Sequence, residues 1–131
     1  MKLYYHNTYR TMKKVIYVED DEINALVMQK LLEKDFDIHL AYDSVECLKK
    51  IHQQQFDIIL MDVNLGNGFL DGVELMQHIK ALPGYQDTPI IAVTSFAMRR
   101  DKEEFLKAGF SEYLSKPIER EKIFRMINEI S

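Results

Sequence analysis

Four short stretches of this 131-residue chain carry residue types that do chemistry when they meet. Glu19-Asp20-Asp21 closes one apolar run, Asp62 closes a second, Thr94-Ser95 closes a third, and Lys116-Pro117 follows a fourth. Two carboxylates about 5 Å apart repel by roughly 3 kcal/mol at an effective dielectric of about 20. Gathered acids therefore raise one another's pKa values or recruit a cation. Mg²⁺ suits such a site, because it takes oxygen ligands, accepts one or a few carboxylates and keeps waters that phosphate oxygens can replace. Lys116 would add a further positive charge and Thr94 a hydroxyl donor. A carboxylate, a metal, a lysine and a hydroxyl together are the parts of phosphoryl transfer, with Asp62 as nucleophile. In DIILMDVNLGNGFLDG (57–72) that acid precedes Gly66, Gly68 and Gly72, a pliable loop able to offer backbone groups to the metal or to phosphoryl oxygens.

Bringing those stretches together requires a particular arrangement of elements. KKVIYVE (13–19), FDIHLAY (36–42), FDIILM (56–61), PIIAVT (89–94) and FSEYLS (110–115) read as strands. Between and after them run helical patterns at 21–34, 43–54, 72–81, 97–108 and 118–130. The first helix carries an apolar stripe at Ile23, Leu26, Val27, Lys30 and Leu31, broken only by the lysine. Asp43 and Ser44 are good helix starters, and Gly109 is a good helix stop. Five strands, each followed by a helix, imply a parallel α/β sheet covered on both faces, with right-handed crossovers. In such a sheet ligands gather at the carboxyl ends of the strands, near the point where strand order reverses. With strands one and three as neighbours, Glu19, Asp20 and Asp62 converge there.

Size and composition bound the remaining possibilities. The length suits one domain, and no apolar stretch approaches the roughly 20 residues of a membrane span. Net charge is −4, which gives no general attraction to nucleic acid or to an anionic membrane. The single cysteine, Cys47, forms no disulfide within the chain and fits a reducing, cytoplasmic setting. Residues 1–12 hold Lys2 and Arg10 and no acid, leaving −6 on the rest. They are expected to be a poorly ordered leader ahead of one domain at 13–131. His6, His39, His52 and His78 have no metal-ligand spacing and read as structural or surface residues. Asp21 reads first as a helix N-terminal residue and second as a fourth acid beside the metal.

VIYVEDDEIN, DIILMDVN with its later DG, IIAVTSFA and AGFSEYLSKPI, in this order and spacing, resemble the receiver domain of two-component response regulators. The forms VEDDEIN and YLSKPI look most like receivers of hybrid histidine kinases. The resemblance covers about residues 13 to 131. It implies a doubly wound, flavodoxin-like (βα)5 fold with strand order 2-1-3-4-5. It also implies phosphorylation of Asp62 by a histidine kinase or a histidine phosphotransfer protein, followed by the switching of a protein-interaction surface. By the same resemblance Glu19, Asp20, Asp62 and the Asn64 backbone carbonyl hold Mg²⁺. Thr94 and Lys116 contact the phosphoryl group, Thr94 and Tyr113 switch, and Lys116-Pro117 is a cis peptide. Asn64 and Phe96 tune the phosphate lifetime, Phe96 by shielding the phosphoryl group from water. A homodimer through the fourth helix, fifth strand and last helix belongs to the same pattern. The sequence departs from it after Asp62: Gly66 stands where family members usually have proline, and Asp71-Gly72 lie two residues later than usual.

Two other classes compete. A phosphatase of the haloacid dehalogenase type would place its nucleophile in a D-x-D on the first strand, whereas here the acid is on the third and Asn64 follows at +2. A receiver-like module that binds partners without being phosphorylated would not need Asp62, Glu19, Asp20, Thr94 and Lys116 all together.

Overall fold

The computed structural model describes residues 12–65, 71–95 and 99–130, with backbone alone at 99–101. The sequence expectations for residues 1–11, for the glycine-rich loop at 66–70 and for Phe96 lie outside these described residues. The chain alternates strand and helix throughout: β1 (Lys14–Val18), α1 (Glu22–Leu32), β2 (Asp37–Ala41), α2 (Ser44–Gln53), β3 (Ile58–Asp62), α3 (Gly72–Lys80), β4 (Ile90–Thr94), α4 (Arg99–Ala108), β5 (Glu112–Ser115) and α5 (Arg120–Ile130). All neighbouring strands pair in parallel, in the order β2-β1-β3-β4-β5.

Burial explains why these segments are strands. Every residue of β3 and β4 is buried, as continuous apolar runs covered on both faces require. The edge strands β2 and β5 are mostly half-buried and carry charged or polar residues. Because strand side chains alternate, each face builds its own core. One contains Ile16, Val18, Ile59, Met61, Ile90 and Ala92 with Cys47, Ile51, Leu75 and Ile79 from α2 and α3. The other contains Val15, Tyr17, Ile58, Leu60, Ile91 and Val93 with Met28 and Leu32 from α1 and Ile123 and Ile127 from α5.

Helix starts follow local chemistry. Asp21, Asp43 and Asp71 cap α1, α2 and α3, each accepting from a backbone N–H two or three residues on. The helix after Asp62 begins at Gly72 for a steric reason. A Cβ there would lie 2.5 Å from the Asp62 carbonyl oxygen and 2.6 Å from Val63 Cα, so only glycine lets α3 ride directly on the end of β3.

The apolar stripe expected on α1 is corrected. Its core face is Ala25, Met28 and Leu32, while Ile23, Leu26 and Val27 are exposed, Ile23 at 73%. The helix is apolar on nearly every side, so spacing alone does not select the buried face.

Candidate functional site

Register builds the site. Tyr17 pairs with Leu60 and Val18 with Met61, so the next level sets Glu19 beside Asp62, one strand spacing apart. In a parallel sheet that spacing is about 4.8 Å. Asp62 in turn pairs with Val93, which puts Thr94 one residue beyond it on the adjacent strand. Thr94 pairs with Ser115, and the Lys116 N–H donates to the Thr94 carbonyl at 2.8 Å. The β1, β3, β4 and β5 ends thus deliver four of the candidate residues to one rim.

Glu19, Asp20 and Asp62 each offer a carboxylate oxygen, and these atoms all lie within 4.8 Å of one another. Glu19 and Asp62 are buried and Asp20 is half-buried. The Lys116 ammonium donates to Glu19 Oε1 at 2.6 Å and stands 3.7 Å from Asp62 Oδ2. The Asn64 N–H donates to Asp62 Oδ1 at 3.0 Å, fixing the carboxylate from its own loop. Burial pushes the Glu19 carboxyl above its usual range. The Asp62 carboxyl pushes it the same way, against the pull of Lys116 and of the Tyr17 hydroxyl.

These donors fit a hard divalent ion. All are carboxylate oxygens, and in an octahedron with bonds near 2.1 Å opposite ligands stand roughly 4.2 Å apart. Closing a spread of at most 4.8 Å to that value needs only small side-chain turns. Among the described residues these are the acids so gathered. Asp21 is not with them, because its Oδ1 accepts from the Ile23 and Asn24 N–H groups as the α1 cap.

The other expected residues fall at varying distance from the acids. Thr94 is buried at the end of β4. Tyr113 sits half-buried on the edge strand β5, with the Lys102 ammonium 5.6 Å from its ring centre. The Lys116-Pro117 peptide is cis. Sequence reasoning missed one participant. Tyr17, 1% exposed, donates its hydroxyl to Glu19 Oε1 at 2.9 Å. The signal was present, since Y-V-E in a strand puts the first and third side chains on one face.

A family model described as the response regulator receiver domain matches residues 15–128. Over 114 residues the chain is 37% identical to the signal transduction histidine-protein kinase BarA of Escherichia coli, covering 86% of this chain and 12% of that kinase. It is 34% identical over 107 residues to the polar-differentiation response regulator DivK of Brucella anthropi, covering 81% of this chain and 85% of DivK. Among solved structures it resembles the chemotaxis protein CheY4 of Vibrio cholerae, with a TM-score of 0.84 at 25% identity, over 92% of this chain and all of that one. It also resembles the receiver domain of the sensor histidine kinase PA1611 of Pseudomonas aeruginosa, whose structure has a magnesium ion coordinated in the active site cleft. There the TM-score is 0.80 at 31% identity, over 91% of this chain and 97% of that one.

Proposed function

The chain belongs to the response regulator receiver domain family of two-component signalling, and we propose that within it this protein takes a phosphoryl group onto Asp62. Receiver domains bind Mg²⁺ at an acidic site and interact with histidine kinases or phosphotransfer proteins. They act as signalling domains rather than as conventional enzymes. The donor in this reading is a phosphohistidine on a histidine kinase or a histidine phosphotransfer protein. An Asp62 carboxylate oxygen attacks phosphorus in line. The new O–P bond forms as the N–P bond breaks, and the departing imidazole takes up a proton. Glu19, Asp20, Asp62 and the Asn64 backbone carbonyl would hold Mg²⁺, which when bound neutralises charge on the transferring oxygens. Lys116 turns from Glu19 toward the phosphoryl group, and Thr94 donates its hydroxyl to it. The acyl phosphate later hydrolyses, at a rate that Asn64 and Phe96 influence from their positions two beyond Asp62 and Thr94.

The observation that carries this reading is the convergence of three carboxylates within 4.8 Å, met by one lysine. Phosphorylation shifts the population between two arrangements of Thr94, Tyr113 and the α4–β5–α5 face, the surface assigned to a downstream protein or a second copy of the chain. Exposed Ile23, Leu26 and Val27, at the α1 edge of the same rim, suit the docking of the donor protein. The domain at 13–131 works in the cytoplasm in this reading. Among the described residues no helix is long and apolar enough to cross a membrane.

Incubation with acetyl phosphate and Mg²⁺, followed by intact-mass measurement, tests the proposal. The expected result is one added phosphoryl group, absent in Asp62→Asn and without Mg²⁺. An unchanged mass in the native sequence would leave the partner-binding module as the better reading.

A further inference from the structure

Glu19 Oε1 receives two donors of different kinds. The Tyr17 hydroxyl reaches it at 2.9 Å from a ring packed in the core among Val15, Met28 and Leu60, and 1% exposed. The Lys116 ammonium reaches the same atom at 2.6 Å from the end of a four-carbon stem. One donor is fixed by packing, and the other, 18% exposed, ends a flexible stem between Glu19 and Asp62. Lys116 already stands 3.7 Å from Asp62 Oδ2, so a short movement takes it off Glu19 toward whatever Asp62 carries. A buried carboxylate oxygen stripped of its donors is costly. Oε1 keeps a partner on the lysine's departure because the tyrosine stays.

We infer that Tyr17 is a positioning residue for phosphoryl acceptance: its hydroxyl holds the Glu19 carboxylate in place and keeps Oε1 satisfied while Lys116 moves to the phosphoryl group. Tyr17 touches neither phosphorus nor metal and acts through Glu19 and Lys116. This rests on the phosphoryl-accepting reading above. Without the hydroxyl, Lys116 is the remaining donor to Oε1 among the described residues and is held there. Mg²⁺ must then compete with a tighter ion pair for Glu19, and the lysine arrives late at the phosphoryl group.

The test uses the full chain and four proteins: the native sequence, Tyr17→Phe, Lys116→Met and the double variant. With acetyl phosphate and saturating Mg²⁺, Tyr17→Phe is expected to lower the maximal phosphorylation rate about tenfold, with half-saturating acetyl phosphate unchanged within about twofold. In the Lys116→Met background the same substitution is expected to lower the rate less than about twofold, because the hydroxyl acts on the rate through the lysine, although Oε1 then loses both donors and the double variant unfolds at lower urea. Calorimetric Mg²⁺ titration of the unphosphorylated proteins should show Tyr17→Phe binding about threefold more weakly, a readout independent of phosphorylation. Urea unfolding should show a near-native midpoint, since Oε1 keeps Lys116.

A Tyr17→Phe rate and Mg²⁺ affinity equal to native would overturn the proposal. So would an equal loss in both lysine backgrounds, or a variant that fails to fold, which would make Tyr17 merely structural. Failure of the native sequence to take up phosphate would instead strike the functional reading, while the Mg²⁺ titration still reads the Tyr17 contact.

Discussion

Replacing Asp62 by asparagine should make the protein more stable when Mg²⁺ is withheld. Each of the two carboxylate neighbours lies within 4.8 Å of Asp62, so at an effective dielectric of about 20 each repulsion is worth at least ~3 kcal/mol. The compensating attraction to Lys116, at 3.7 Å, is worth ~4–5 kcal/mol on the same scale. The balance favours removing the charge by ~2 kcal/mol, and relaxation in a site open on one side reduces that to ~1–2 kcal/mol. Asparagine keeps an oxygen to accept the Asn64 N–H, so the loop contact survives the change. The assay is urea unfolding in a chelator and again in excess Mg²⁺. In chelator Asp62→Asn should unfold at higher urea than the native sequence. In Mg²⁺ the native sequence should gain more, because ion binding to the folded state adds stability by mass action and the variant has lost a ligand. A variant less stable than native in chelator, combined with a native sequence indifferent to Mg²⁺, would refute the picture of three mutually repelling acids.

Gly72→Ala should lose ~1–3 kcal/mol from the close approach of Cβ to the Asp62 carbonyl oxygen, and should also slow phosphorylation by displacing the Asp62 backbone. Gly84→Ala, strained at φ +86° but far from the acids, should affect urea stability alone. Tyr85→Phe should cost ~1–3 kcal/mol in the same measurement, because the Tyr85 hydroxyl accepts from the Phe56 N–H at 3.2 Å and its loss strands that donor in the core. Cys47, whose thiol burial pushes up to about 12, should react with a thiol reagent at pH 8 at least ~100-fold more slowly in the folded protein than in urea. Equal rates would deny its burial. Phe96→Ala should speed decay of the phosphorylated form, read by intact mass against time, and an unchanged decay would remove Phe96 from any shielding role.

The strand ends were legible because acids, a threonine and a lysine each interrupt an apolar run, an arrangement a parallel sheet brings to one rim. The resemblance to receiver domains implied the strand order 2-1-3-4-5, which composition alone could not supply. α1 was the weaker reading. Ile23, Leu26 and Val27 form as regular a stripe as Ala25, Met28 and Leu32, and only packing against β1 and α5 decides between them. The strand starts shifted inward by a residue or two, where Phe36 and Phe110 enter the core just before their strands begin. The Gly72 contact and the Tyr17 hydroxyl were hidden for one shared reason. Both depend on distances across the fold, and one-dimensional spacing records neither.

The division of the interior into two unconnected hydrophobic halves has a consequence for how substitutions combine. The sheet backbone separates Ile16, Ile59 and Ile79 from Val15, Ile58 and Ile123 like a bulkhead. Volume removed on one side cannot be refilled from the other, so damage on the two sides accumulates without mutual relief. Around the carboxyl end of the sheet, a route from the α2–α3 side to the α1–α5 side runs past Glu19 and Asp62.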